Sequence, residues 1–198
     1  MDKKHFLNTI KCDDNNLVSN IFNKIQIAEK TNKTIFTNDF LPPDIWHQIL
    51  TISENSEIKS FANGIFKEAD RRMLSFSTSD TPTKYPIDML KIKNKSKFSS
   101  INHKDYLGAI MSLGIKREKL GDLIIQDSMC YAPVCSDISN YIITNLKKVK
   151  NCPCVVTEYD YVSQDLPERK FEERVVITTS FRVDGLVSAV CNISRNSS

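Results

Sequence analysis

The chain has 198 residues, 40% hydrophobic and 26% charged, an ordinary balance for a folded domain and room for one or two small ones. Against 27 Lys/Arg stand 24 Asp/Glu, so the formal charge is only +3 and any basic character has to be local. No apolar run approaches membrane-spanning length, and the opening M-D-K-K-H-F-L-N-T-I-K-C-D-D lacks the apolar centre of a secretory signal. A cytoplasmic protein with no membrane partner is expected.

Residues 14–30 read as an amphipathic helix, with Leu17, Val18, Ile21, Phe22, Ile25 and Ala28 along one face and Asp13 or Asp14 at its start. Thr34-Ile35-Phe36-Thr37 is a short strand. Pro42-Pro43 opens a second helix carrying Ile45, Trp46, Ile49 and Leu50. Ile58 to Phe61 and Arg72 to Phe76 alternate as strands about a turn at Asn63-Gly64. Ser77 to Pro86 reads as a linker. Ile87, Met89, Leu90 and Ile92 then form a strand, followed by a helix starting near His103.

Leu123 to Ile125 and Met129 to Tyr131 read as a hairpin about Gln126-Asp127. Ser136 or Asp137 caps a further helix with Ile138, Tyr141, Ile142 and Leu146 inward. Val155 to Thr157 and Val175 to Ile177 read as a strand pair. The expected fold class is α+β: two small subdomains with helices on short antiparallel or mixed sheets, residues 1–78 and 86–178, then residues 179–198. None of the six cysteines stands in a C-x-x-C pair, so reduced thiols are expected rather than a zinc site. The five glycines form no phosphate-binding loop, so no nucleotide cofactor is expected.

The most informative run is His103 to Asp122, H-K-D-Y-L-G-A-I-M-S-L-G-I-K-R-E-K-L-G-D. Leu107, Ile110, Met111 and Leu113 recur at helical spacing, Gly114 stops the helix, and Lys116, Arg117 and Lys119 follow on a tight loop. Residues 91–122 hold eight cations and three anions, a local +5. Such a loop suits a phosphate backbone, Arg as a two-pronged donor and Lys as a point charge. Alternatively, Arg117 pairs with Asp122 or Glu118 and closes the loop. His103 can cap the helix, stack on a base or act as acid or base; Asp105, two residues on, does not face it across a helix. Tyr106 is expected in the core. Gly108 is expected to admit another element closely, and Gly114 and Gly121 to need positive φ. Lys91, Lys93, Lys95 and Lys97 share a strand face as an electrostatic fringe.

This run closely resembles the signature of the YlmH family, bacterial ribosome-associated RNA-binding proteins, with wording H-[RK]-D-[YF]-L-G-A-[LI]-M-x-L-G-I-K-R-E-K-[LI]-G-D. Asp39-Phe40-Leu41-Pro42 is similar to the family's D-F-L-D-P. Residues 179–195, T-S-F-R-V-D-G-L-V-S-A-V-C-N-I-S-R, resemble the opening of its C-terminal alpha-L RNA-binding module. Ala62-Asn63-Gly64 and Asp70-Arg71-Arg72 depart from the family's Gly-Gly and Glu-Arg pairs, and only the start of the alpha-L module is present.

The resemblance implies RNA contacts at His103, Lys104, Lys116, Arg117, Lys119, Arg182 and Arg195, with Asp184 capping a helix over 185–191. It implies a non-catalytic protein on the ribosomal large subunit, touching ribosomal RNA and tRNA, in rescue or quality control of stalled subunits. Two alternatives stand: an RNA-modifying enzyme such as a pseudouridine synthase-like protein, and a protein-binding adaptor linked to cell division. No catalytic residue, metal, cofactor or small-molecule substrate is expected.

Overall fold

Asp14 starts the first long helix: its carboxylate accepts the N–H groups of Asn16 and Leu17 at 3.0 Å each, and Asn32, in the left-handed region at φ 52°, ends it. In this computed structural model the described residues are 3–53, 56–79, 84–95, 101–168, 175–177 and 182–191. In chain order they form α1 (Lys3–Thr9), α2 (Asn15–Thr31), β1 (Ile35–Phe36), α3 (Pro43–Ser53), β2 (Lys59–Asn63), β3 (Met73–Ser77), β4 (Ile87–Asn94), α4 (His103–Met111), a 3-10 turn (Arg117–Lys119), β5 (Ile124–Gln126), β6 (Met129–Cys135), α5 (Ser136–Asn145), β7 (Lys148–Val149), β8 (Cys152–Glu158) and α6 (Val183–Cys191). The fold is α+β.

All strand pairs are antiparallel, in a three-stranded sheet ordered β1-β3-β2 and a five-stranded sheet ordered β5-β6-β4-β8-β7. By density of contacts the chain divides into Met1–Glu168 and Arg169–Ser198. Residues 1–78 and 86–168 of the two subdomains read from the sequence fall in the first unit, and residues 169–178 fall in the second. Each sheet keeps its own apolar cluster. Val18, Ile21, Phe22, Trp46 and Ile49 pack with Leu74 and Phe76 beside the small sheet. Tyr106, Ile110 and Ile142 pack on Leu90, Ile92, Ala132, Val134 and Val156 of the large one. A third cluster joins the two, with Phe40 and Met73 against Tyr85, Ile87 and Cys135.

Several expectations meet a different outcome. β8 pairs with β4 and β7, and residues 175–177 carry no strand. The N-cap of α5 is Cys135, without a side-chain bond; Ser136 Oγ donates to Asp88 at 2.8 Å instead. The β5–β6 turn falls at Asp127 and Ser128, both at positive φ, the twist a two-residue hairpin turn needs.

The large-sheet core buries several acids in neutral form. Burial pushes the Cys135 thiol and the Tyr106 phenol up to about 12, and the Cys130 thiol higher still. Each keeps its proton in the fold where the unfolded chain has lost it, so this stability is intact below the unfolded thiol value, about 8.5, and falls as pH rises past it. The urea midpoint is expected to hold to about pH 8 and fall between about pH 9 and 11. A flat midpoint across that window would contradict the burial of these groups.

Candidate nucleic-acid interface

Asn102 caps α4: its side chain accepts the Asp105 N–H at 3.1 Å while Asp105 accepts the Asn102 N–H at 2.8 Å. The cap is therefore Asn102, and His103 stands at the first helical position, exposed. Lys104 is exposed beside it and Tyr106 is buried, 1% exposed. Asp105 also binds Lys150 at 2.8 Å, and this bond, with the Asn102 N–H, holds its carboxyl below the usual range. Gly108 has open space where a Cβ would stand, so no element approaches it. Gly114 ends the helix region at φ +82°.

The loop after Gly114 turns most of its cations inward. Arg117 Nη1 donates to the carbonyls of Leu120 (2.6 Å) and Gly121 (3.2 Å). Lys119 Nζ donates to the Asn38 carbonyl at 3.0 Å and forms ion pairs with Asp137 at 2.9 Å and Asp39 at 3.2 Å. Burial opposes the charge on Lys119, but the bonds to Asp137 and Asp39 outweigh it and raise its pKa. The pKa of Arg117 is pulled down by burial first and by nearby Arg71 second, with Asp122 and Glu118 opposing.

Around them the backbone is pinned. Phe40 N–H donates to the Glu118 carbonyl at 2.7 Å, Gly121 N–H to the Pro133 carbonyl at 2.8 Å, and Arg71 Nη2 to the Phe40 carbonyl at 2.7 Å. Buried Asp122 accepts the N–H groups of Asp70 (2.5 Å) and Arg71 (3.2 Å). Gly121 is needed for room rather than for positive φ: a Cβ there would meet Phe40 and Pro133 at 3.0 Å. The K-R-E-K-L-G-D run is thus a clasp between the two sheets. Of its three expected phosphate ligands, Lys116 alone is exposed, while Arg117 and Lys119 are committed to carbonyls and carboxylates.

In the second unit Arg182 Nε lies 3.1 Å from Asp184 Oδ1. α6 begins at Val183, which puts Asp184 in its first turn rather than at the cap. Arg195 and Lys97 lie outside the described residues.

Further cations stand on the large sheet, with Lys91 half-buried and the others exposed. Lys91, Lys93 and Lys95 lie along β4 and its end, and Lys147, Lys148 and Lys150 surround β7. Among the described residues, Lys91, Lys93, Lys95, Lys104, Lys116, Lys147 and Lys148 have no carboxylate within ion-pair distance. No three His, Cys, Asp or Glu side chains among the described residues converge on a metal-sized site. No described helix is long and apolar enough to cross a membrane.

Residues 81–163 match the family model described as "Putative RNA-binding domain in YlmH". That span holds the whole five-stranded sheet with α4 and α5. The chain is 23% identical over 163 residues to the Bacillus subtilis (strain 168) "Ribosome-associated protein quality control protein P2", covering 81% of this chain and 63% of that relative. Its fold matches the "Cell division protein ylmH from Streptococcus pneumoniae" with a TM-score of 0.65 at 14% identity, over 78% of this chain and 95% of that one.

Residues 81–163 match the YlmH RNA-binding domain model, and the chain resembles YlmH proteins in fold.

The YlmH model spans both the clasp and the exposed lysines, but it separates neither kind of cation from the other. The sequence reading missed Lys147, Lys148 and Lys150. Their signal was present in the run Leu146-Lys147-Lys148-Val149-Lys150, three cations within four residues and no anion among them.

Proposed function

We propose that the protein is a non-catalytic RNA-binding protein of the cytoplasm that associates with the ribosome, with the large subunit and its tRNA as the setting and quality control as the role. What carries this reading is that the segment matching the YlmH RNA-binding model holds the chain's excess of positive charge, 12 Lys/Arg against 8 Asp/Glu, where the remainder has 15 against 16. Seven lysines of this segment have no carboxylate partner, on a chain of net charge +3, and supply local positive charge for a polyanion. Within the signature run, Lys104 and Lys116 are proposed as contacts to the backbone. Arg117 and Lys119 serve RNA indirectly, by holding the loop that presents Lys116; His103 stands next to Lys104 at the same helix start. Arg182 and Arg195 remain proposed contacts of the C-terminal unit.

The test is filter binding of ribosomal RNA across a salt series, together with co-sedimentation with ribosomal subunits. Replacing Lys104 and Lys116 together by Ala is expected to weaken binding and to lower the log–log salt slope by about 2, one per lost phosphate contact. An unchanged slope removes both residues from the interface. Failure of the wild-type chain to bind RNA or subunits removes the reading itself.

A further inference from the structure

The five-stranded sheet is covered on one face only along its length. Alternation along β4 sends Leu90 and Ile92 toward α4 and α5, where they are fully buried, and sends Lys91 and Lys93 the other way. The register sets Lys91 beside Tyr131 and Thr157, Lys93 beside Met129 and Val155, and Lys148 beside Pro153. Phe66 and Ala69, from the β2–β3 connection, cover the end of this outer face around Met89 and Ile124. Beyond them Lys93, Lys148, Pro153, Val155 and Thr157 are exposed.

This uncovered area has an unusual composition. Val155 is 41% exposed amid lysines, and Lys91 Nζ lies 5.7 Å from the ring centres of both Tyr131 and Tyr159. No described outer-face position of β4, β6 or β8 carries a carboxylate: Asp88 and Glu158 fall on the alternate side of their strands. Like charges left together without counter-charges oppose folding, and a polyanion relieves them. Lys91, Lys93 and Lys95 recur every second residue, about 7 Å apart along the strand, the scale of successive phosphates in an extended chain.

At the β7 edge the lysines continue into a cleft of about 310 Å³. Ala109, Leu113 and Leu146 give it an apolar lining, and Lys147 and Lys148 supply its unpaired charge beside Lys150, which is bound to Asp105. Ser112 and Asn145 add hydrogen-bonding groups, and no carboxylate lines it. A cleft of this size admits about one nucleotide and no double helix. Lys148 belongs to both the cleft and the sheet face, so the two surfaces are continuous.

We propose that the outer face of the five-stranded sheet and the cleft at its β7 edge form one track for single-stranded RNA, with backbone phosphates on Lys91, Lys93, Lys95 and Lys148 and one nucleotide seated between Leu113 and Lys147. This deepens the RNA-binding reading above and rests on it. Single strands are favoured over duplexes because the charge is interleaved with apolar and aromatic surface that unstacked bases cover.

The test uses the full chain and fluorescence anisotropy with two probes, a labelled oligouridylate and a labelled hairpin duplex of equal charge. The track predicts a preference for the oligouridylate, and a loss of about tenfold or more in that affinity for Lys93→Glu/Lys148→Glu, with unchanged circular dichroism and urea midpoint. Lys147→Ala alone is expected to weaken the oligouridylate more than the duplex. If the wild-type chain binds RNA but both probes equally, or if these variants bind like wild type, the track is overturned while the RNA-binding reading stands. In that case Lys147 and Lys148 merely complement the carbonyl end of α5. If the wild-type chain binds neither RNA nor ribosomal subunits, both readings fall together.

Discussion

Replacing Asp122 by alanine is expected to lower the unfolding free energy by about 3 kcal/mol or more. The carboxylate is 8% exposed and accepts two backbone N–H bonds, from Asp70 and Arg71, 52 and 51 residues away in the chain. Hydrogen bonds to an ionised group contribute about 1.5–3 kcal/mol each, and a donor left buried without a partner costs a similar amount. The loss extends to charge. The Asp122 charge favours the guanidinium groups of both Arg71 and Arg117, which burial disfavours, and Arg71 also opposes the charge on Arg117. Arg71 Nε is itself buried without a partner, so the site has little left to absorb the change.

Asp122→Asn separates these contributions. The amide keeps the shape and one acceptor oxygen but not the charge, so its cost should be about half that of alanine. Urea unfolding measures both, and the midpoint should fall with the slope unchanged. A loss below about 1 kcal/mol for Asp122→Ala would mean that the carboxylate does not hold the two sheets together. Because the group is proposed to act through the fold, RNA affinity of Asp122→Ala under strongly native conditions should match wild type.

The contrast between Asp122 and Lys116 marks where sequence reading succeeds. Local periodicity is enough to place α2, α3, α4 and α5, because each helix carries its own apolar stripe. The strands of the small sheet and β4 are equally legible, and the α+β class follows. The partner of β8 was not, since pairing is set by elements distant in sequence: its partners in β4 lie 60 to 68 residues back, and β7 is two residues long. The same limit governs the signature loop. Lys116, Arg117 and Lys119 look alike in sequence. Their fates differ because Asn38 and Asp39, about 80 residues earlier, and Asp137, 18 later, arrive only when the sheets pack. Gly121 likewise offered no sign that Phe40 would press against it.

Replacing Phe40 by alanine is expected to cost about 3–5 kcal/mol, the range for removing a fully buried aromatic side chain. Phe40 is 0% exposed and packs in the cluster that joins Met73 of the small sheet to Ile87 and Cys135 of the large one. The cavity would open at the joint, where the clasp fixes the backbone on both sides through the bonds of Phe40 N–H and its carbonyl. Collapse into it is therefore limited, which favours the upper part of the range.

Gly121 supplies the sharper measurement. Its alanine variant puts a Cβ 3.0 Å from the Phe40 ring and 3.0 Å from Pro133 Cβ, and such overpacking costs about 1–3 kcal/mol. In a Phe40→Leu background the ring edge is gone, so the same change should cost about 1 kcal/mol less. Pro133 remains, in β6 and held by the Gly121 N–H, and accounts for the residue of the cost. The double-mutant cycle should thus give a coupling of about 1 kcal/mol between residues 81 positions apart in the chain. A coupling near zero would place the steric wall on Pro133 alone and remove Phe40 from the account of why glycine stands at position 121.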